Sequence, residues 1–444
     1  MGLDGFTGEI VRPEDPGYDA ARAVWNNMID RRPALIVRPT GNDDVVAALR
    51  FARERELVVA VRCGGHSMPG FSTCDDGIVI DLSRMRGAEV DPERRIARVR
   101  GGTLLAELDD AAQAHGLVCP VGVVSHTGVA GLTLGGGMGR LQRRLGLTID
   151  NLLAVELVTA DGRVVRASED ENSELFWGMR GAGPNFGIVT SFEFRLHPLD
   201  GQVTHGTVTH PIERAEELAD RYRELVEEGP DELWASFGMT VGGDARGPVA
   251  SVSVLHSGAP ADVARDLASL RALGDALEDS VESKPYLVSQ RLYDAPMEWG
   301  QRFSMKSSFL ASLPDSLIRE WAGQLSLVPD GADGGFSVWA WGGAIAGVSE
   351  EATAFSGRGA AHWAGAEIVW HDVAIDDACR SWARRGTDTA APHATVGRYV
   401  NDVNEVGGDL ARTIYGDAKY DRLVALKREW DPDNVFRLNQ NIRP

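Results

Sequence analysis

The chain has 444 residues, a formal net charge of −20, 43% hydrophobic residues and 25% charged residues. That length supports a large core and more than one subdomain, and the mix is that of a water-soluble globular protein. The acidic balance excludes nucleic acid and anionic membrane as partners, since both need basic patches.

The chain starts Met1-Gly2-Leu3-Asp4-Gly5-Phe6-Thr7, with no basic stretch leading into an apolar run, so no secretory leader is expected. Thr7 lies one place beyond the hydroxyl position of a myristoylation signal, and no apolar stretch is long enough to span a bilayer. Ala34–Val37 reads as a buried strand, and the spacing of Val45, Val46, Leu49 and Ala52 predicts a helix opened by Asn42. Leu57–Val61 is a second apolar strand. It runs into Arg62-Cys63-Gly64-Gly65-His66-Ser67, where two glycines bring backbone close to a bulky group and a nucleophilic imidazole follows. Strands are predicted at 77–82 and 96–100, a helix over 104–115 capped by Gly116, and a hairpin over 155–166 turned at Asp161-Gly162. Phe186–Phe194 alternates as another strand. The first 200 residues are therefore mixed α/β.

Beyond His197-Pro198-Leu199 the texture changes. Helical patterns lengthen, at 215–228 and 261–273, and eight of the eleven tryptophans fall between 201 and 395. On the strand 336–341, Trp339 and Trp341 share one face, and Phe336 and Val338 share the other. One face can pack on helices while the other meets a cofactor. The final stretch is motif-like again, with Gly397-Arg398-Tyr399-Val400-Asn401, a helix over 420–430 and Asp431–Phe436. This divides the chain into 1–200, 201–395 and 396–444. Cys63, Cys74, Cys119 and Cys379 form no CxxC pair, which leaves zinc unsupported and suits free thiols in the cytoplasm. No metal site is expected, and no pattern defines an oligomeric state.

Two further glycine clusters follow the first, at 128–139 and 181–187. The former is too long for a dinucleotide fingerprint and has no acidic residue about 20 positions on. No lysine lies near any of the three, which argues against a Walker-type phosphate site. Three such loops suit one large cofactor held by backbone N–H groups.

At this point a resemblance is plain. The runs 62–67, Ser125–Gly137, Leu175-Phe176-Trp177 through Asn185-Phe186-Gly187, Tyr399-Val400-Asn401 and Asp431–Phe436 resemble the flavin-linked oxidases of the vanillyl-alcohol-oxidase and p-cresol-methylhydroxylase type. The likeness is to their berberine-bridge-enzyme-like branch. It is strong over about 32–200 and 395–444 and weak between. It implies an α+β fold: a two-part FAD-binding domain with an inserted substrate domain of antiparallel sheet covered by helices.

It also implies that His66 bonds FAD at the 8α carbon, giving a more oxidising flavin. Relatives with a second, cysteinyl bond carry the cysteine four residues before Gly128. Val124 stands there and Cys119 lies further upstream, so His66 is the only tether expected. Cys63 is a competing nucleophile beside it. The resemblance carries cofactor contacts onto Arg62, Cys63, Gly64, Gly65, Ser67 and Met68. In the central cluster it carries them onto His126, Thr127, Gly128, Gly131, Thr133, Gly135, Gly136 and Gly139. Further along they fall on Asn185, Gly187, Val189 and Asn439.

The implied reaction removes a hydride from a C–H bond of a small alcohol, amine, phenol or sugar to flavin N5, with O2 as reoxidant. Tyr399 is the first candidate for base or orienter. As a base it would need a cation beside it, from Lys306 or Arg398. Asn401 is expected on flavin or substrate. Where many relatives carry Glu or Gln, this chain has Gly365, with Glu367 two residues on along the same strand face. Arg140 replaces a frequent aromatic, and Thr127 lies where relatives control oxygen access. A dehydrogenase or oxidative cyclase of the same fold, or a flavin carrier without turnover, stays open as an alternative.

Overall fold

The computed structural model describes residues 3–241, 247–407 and 409–444; Met1 and Gly2, on which the leader reading partly rests, lie outside them. Three sheets organise the chain. In the first, Leu35–Arg38, Ile78–Asp81 and Val59–Arg62 run parallel, and Glu9–Val11 adds an antiparallel edge. The helix Asn42–Glu54 makes the crossover, burying Val45, Ala48, Leu49 and Ala52 against the strands. Its cap is Gly41 in extended backbone. The Asn42 side chain instead reaches Glu156, so Asn42 opens the helix without capping it.

The second sheet is antiparallel, in the order Ala88–Asp91, Ile96–Arg100, Ile188–Arg195, Leu152–Val158, Val164–Ser168. Its last pair is the expected hairpin, with Gly162 at φ +85° in the turn. The helix Leu105–Gln113 packs beside it, and Gly116 takes φ +66° just beyond.

The third sheet has eight strands, all paired antiparallel, drawn from residues 202–370. Three helices, Ala215–Glu228, Asp315–Leu325 and Asp376–Ala390, cover one face. Alternation along the strands sorts the two faces. Phe336, Val338, Ala364, Ala366 and Ile368 pack under the helices, while Trp339, Trp363 and Glu367 turn to the opposite side. Two expectations need correction. The strand ends at Ala340, so Trp341 leaves the sheet and is buried against Phe309 and Phe355. The helical pattern at 261–273 is two short helices, Pro260–Asp266 and Ala268–Arg271, broken at Leu267 where the backbone leaves helical geometry. The break follows Asp266, whose carboxylate is held by His256 at 2.9 Å.

The end of the chain returns to the second sheet. Helices Leu410–Tyr415 and Asp417–Trp430 bury Ile414, Tyr415, Leu423 and Leu426 in the same core as Leu175, Phe176 and Phe186. No described helix is long and apolar enough to cross a membrane.

Candidate active site

A cavity of about 410 Å³ lies where the three sheets meet. One part is walled by the glycine loops and the other by the uncovered face of the third sheet. The strand Val59–Arg62 delivers the first loop, with Gly65 at φ +72°. Gly64 lies against Gly128 of the second loop. A Cβ on Gly64 would stand 2.2 Å from the Gly128 nitrogen, and one on Gly128 would stand 2.4 Å from Cys63 Sγ. No side chain fits at either position, so the two loops form one backbone surface.

His66 sits on that surface, stacked on Trp25 with ring centroids 4.9 Å apart. Its Nε2 is 2.7 Å from Nδ1 of His126, which leaves Nδ1 of His66 without a protein partner. Burial, aided by His126, lowers the His66 pKa to about 3, so the imidazole is neutral at working pH. Loss of solvent pushes the Cys63 thiol up to about 12, and its Sγ points at the Thr103 carbonyl. A protonated thiol is a poor nucleophile, so Cys63 does not compete with His66.

The far wall carries the polar groups. The Tyr399 hydroxyl accepts from the Gly137 N–H at 3.1 Å and from Asn401 Nδ2 at 3.0 Å. Burial raises its pKa well above the usual phenol value, and the nearby Asp402 adds to the rise. The expected cation is missing: Lys306 pairs with Glu405, and Arg398 lies on a separate surface groove. Tyr399 is therefore neutral, with its hydroxyl fixed by two donors. Asn401 Nδ2 also donates to the Leu132 carbonyl at 3.1 Å, and a Cβ on Gly135 would run into the Asn401 amide. Glu367 accepts from Ser337 Oγ at 2.5 Å, and burial raises its pKa. A Cβ on Gly365 would stand 2.7 Å from the Trp363 ring and 3.3 Å from Glu367 Oε1. The Glu367 carboxylate thus occupies the space beside the position where relatives carry their acid or amide.

Most residues expected at the cofactor line this cavity, including His66, Ser67, Met68, Thr127, Gly131, Gly187, Val189 and Asn439. Five do not. Arg62 is a buried strut, donating to Asp81 and to the Ala21 and Ala23 carbonyls. His126 stands behind His66. Thr133 is buried in the helix Val129–Leu134, Gly136 packs on Phe355 and Tyr399, and Gly139 sits on the Val121 carbonyl. Of the eight tryptophans between 201 and 395, only Trp339 and Trp363 reach the lining. Arg140 is also elsewhere, buried near Trp234 and Tyr293 and donating to the Ser289 carbonyl. Sequence reasoning missed Trp25, Met305 and above all Asp402, although Asp402 directly follows Asn401.

Asn185 and Asn439 close the end of the cavity nearest the C-terminus. Asn185 Oδ1 accepts from the Ile442 N–H, and Asn439 Nδ2 donates to the Pro184 and Phe436 carbonyls. Beneath them Lys427 Nζ, fully buried, donates to Asp431, to the Asn185 carbonyl and to the Phe436 carbonyl at 2.6, 2.8 and 2.9 Å.

The model of an FAD binding domain matches residues 33–168, and that of berberine and berberine-like proteins matches 398–443. The (R)-6-hydroxynicotine oxidase of Paenarthrobacter nicotinovorans is 34% identical over 98% of this chain and 97% of its own. The chain belongs to the berberine-like family of FAD-linked oxidoreductases. An FAD-linked oxidoreductase of Dictyostelium discoideum is 30% identical over 95% of this chain and 91% of its own. The crystal structure of 6-hydroxy-D-nicotine oxidase from Arthrobacter nicotinovorans superposes with a TM-score of 0.92, at 32% identity, over 100% and 99% of the two chains. This berberine-like protein is accordingly an FAD-dependent oxidase.

The residues present fit FAD. Gly131 has open space where a Cβ would stand, and it lines the cavity. Ser72 Oγ and Asn439 Oδ1, both on the lining, are buried polar atoms with no protein partner. No Lys or Arg lines the cavity among the described residues, so backbone N–H groups and these side chains are what remains to meet an anionic cofactor.

Proposed function

We propose that this chain oxidises a small molecule by hydride transfer from a C–H bond to FAD, with FAD tethered through His66 alone and O2 as the final acceptor. The observation that carries the reading is one continuous cavity joining a neutral, oriented His66 to the Glu367 carboxylate and the Tyr399 hydroxyl. FAD, when bound, supplies the two-electron acceptor.

The protein's own groups do the rest. The facing Gly64 and Gly128 backbones bind the cofactor, and His126 holds Nε2 of His66 so that Nδ1 is the nitrogen left to bond. Val124 lines the cavity in the place of the second tether of bicovalent relatives, and it has no nucleophile. Tyr399, fixed by Gly137 and Asn401, orients the substrate. Glu367, with its affinity for a proton raised by burial, takes the substrate's proton as the hydride leaves. Aromatic and apolar walls exclude water. The proposal includes a cytoplasmic setting, supported by four unpaired cysteines.

Acid precipitation tests the tether: yellow colour should stay with the pellet and be lost to the supernatant in His66→Ala. A colourless wild-type pellet refutes it. Stopped-flow mixing of reduced protein with air-saturated buffer tests the acceptor, and a flavin that stays reduced rules out O2.

A further inference from the structure

The sheet wall of the cavity repeats one pattern on either side of Gly365. In the register of the third sheet, Gly365 stands opposite Ser337 on the strand Ala332–Ala340 and opposite Ser307 on the strand Arg302–Leu310. Residues level with one another in neighbouring strands share a face, and here it is the face of Trp339, Trp363 and Glu367. Each serine holds one carboxylate by one oxygen. Ser307 Oγ donates to Oδ2 of Asp402 at 3.0 Å, and Ser337 Oγ donates to Oε1 of Glu367 at 2.5 Å.

Gly365 makes the second contact possible. Glu367 is level with Gly335 and Met305, not with Ser337. To reach the serine, its side chain leans back along the strand over residue 365. A Cβ there would stand 2.7 Å from the Trp363 ring and 3.3 Å from Glu367 Oε1, so even a methyl group crowds the path. The two carboxylate oxygens are thereby unlike. Oε1 is held, while Oε2 has no donor among the described residues and keeps access to the cavity that Glu367 lines.

We propose that Ser337 is a positioning residue: it fixes Oε1 of Glu367 over Gly365 and so makes Oε2 the oxygen that meets the substrate's proton. The inference rests on the reading of Glu367 as the base and adds the group that aims it. In the oxidation the substrate's C–H bond breaks, and the hydride leaves with both electrons for FAD. The proton of the substrate's O–H or N–H passes to Oε2, and O2 afterwards takes up the two electrons and leaves as H2O2. Burial raises the Glu367 pKa, and the Ser337 hydroxyl works against that rise by favouring the carboxylate. Only the ionised form takes up a proton, so the serine also keeps the base available at lower pH.

The groups that face Glu367 are Asp402 and Tyr399, with His66 across the cavity and the Lys306–Glu405 ion pair on the far face of the strand Arg302–Leu310. Neither Tyr399 nor His66 is charged near neutrality, by the directions of their shifts. Asp402 does titrate there, since burial, with the Glu367 charge adding to it, raises its pKa to about 7. Loss of the Ser337 donor destabilises the Glu367 anion, so its pKa rises and the ionised base appears only at higher pH.

Infrared spectra of the flavin-loaded protein against pH test this without a substrate. They follow the C=O band of a protonated carboxyl, and subtraction of the Glu367→Gln spectrum assigns the band to Glu367. Ser337→Thr keeps the hydroxyl, and Ser337→Val has the shape of threonine without it. The valine variant should raise the midpoint by about one pH unit or more, the usual worth of a hydrogen bond to a charged group. The threonine variant should stay near wild type. The same difference should persist in an Asp402→Asn background, where the neighbouring carboxyl no longer titrates. Equal midpoints for threonine and valine overturn the inference, and their common shape keeps a packing defect from imitating the expected result. A wild-type band that persists above about pH 9 overturns the base reading instead, because a carboxyl that stays protonated takes up no proton.

Discussion

Lys427→Met tests whether one buried ammonium holds the cofactor cradle together. The lysine binds Asp431 and two carbonyls on loops far apart in sequence, at Asn185 and Phe436. Both it and Asp431 are fully buried, and burial lowers the lysine pKa against the pull of Asp431. Methionine matches the stem but removes the charge and three donors. The Asp431 carboxylate keeps the Val435 and Phe436 N–H groups, at 2.8 and 2.9 Å, but loses its cation. Breaking such a pair from one side costs about 3–5 kcal/mol, mostly the uncompensated charge left behind. One orphaned carbonyl, that of Asn185, adds to that, while Phe436 keeps the Asn439 amide, so a loss below about 3 kcal/mol is not expected.

Urea unfolding of the apo protein measures the loss. FAD fluorescence in a His66→Ala background, where no tether masks it, measures the cradle. FAD affinity should fall at least tenfold, about 1.4 kcal/mol. The double variant Lys427→Met/Asp431→Asn should recover part of both losses, because it removes the stranded charge. An unfolding free energy within about 1 kcal/mol of wild type, with FAD affinity unchanged, would refute the clamp.

Glu367→Gln should lower turnover by about 10²- to 10⁴-fold, whereas Tyr399→Phe should cost less than about tenfold, near one hydrogen bond's worth; steady-state rates with a turned-over substrate decide, and the reverse order makes Tyr399 the base. Cys63→Ala should retain acid-stable flavin, because the thiol it removes is protonated at all working pH; loss of bound flavin on the denatured protein would contradict this. His126→Ala should slow covalent incorporation of FAD into apo protein several-fold, read as acid-precipitable flavin against time, and an unchanged time course denies His126 its hold on His66. Asp109, buried with Gln290, has its pKa raised to about 7, so the folded state binds more protons than the unfolded one between about pH 4 and 7. Stability at that site is present at low pH and lost as pH rises through this window. Asp109→Asn should accordingly stabilise by a few kcal/mol at pH 8 and by little at pH 4, in urea melts at the two pH values.

What could be read from the residues alone was what local chemistry writes into the chain. The strand running into Gly64-Gly65-His66 and the helix of Asn42–Glu54 follow from spacing and turn residues. The two-faced strand at Phe336 and Val338 does too, because alternation is a property of the strand itself. Asp402 escaped for the opposite reason. Nothing in Tyr399-Val400-Asn401 says that a one-turn 3₁₀ segment, Val400–Asp402, will swing the next side chain onto Ser307 and Trp363, far away in sequence. Arg62 lies outside the cavity lining for the same reason. Its neighbours in sequence belong to the cofactor loop, but its guanidinium turns back to Asp81 on the adjacent strand. The missing cation beside Tyr399 depends on Glu405 capturing Lys306, a pairing only the fold makes.

The cavity's lining runs from Trp25 to Gln440. A flavin site built this way has no existence on a partly made chain, because Asn439 cannot reach the Pro184 carbonyl until the chain has been made that far. Cofactor loading then waits on residues that lie hundreds of positions from the first glycine loop.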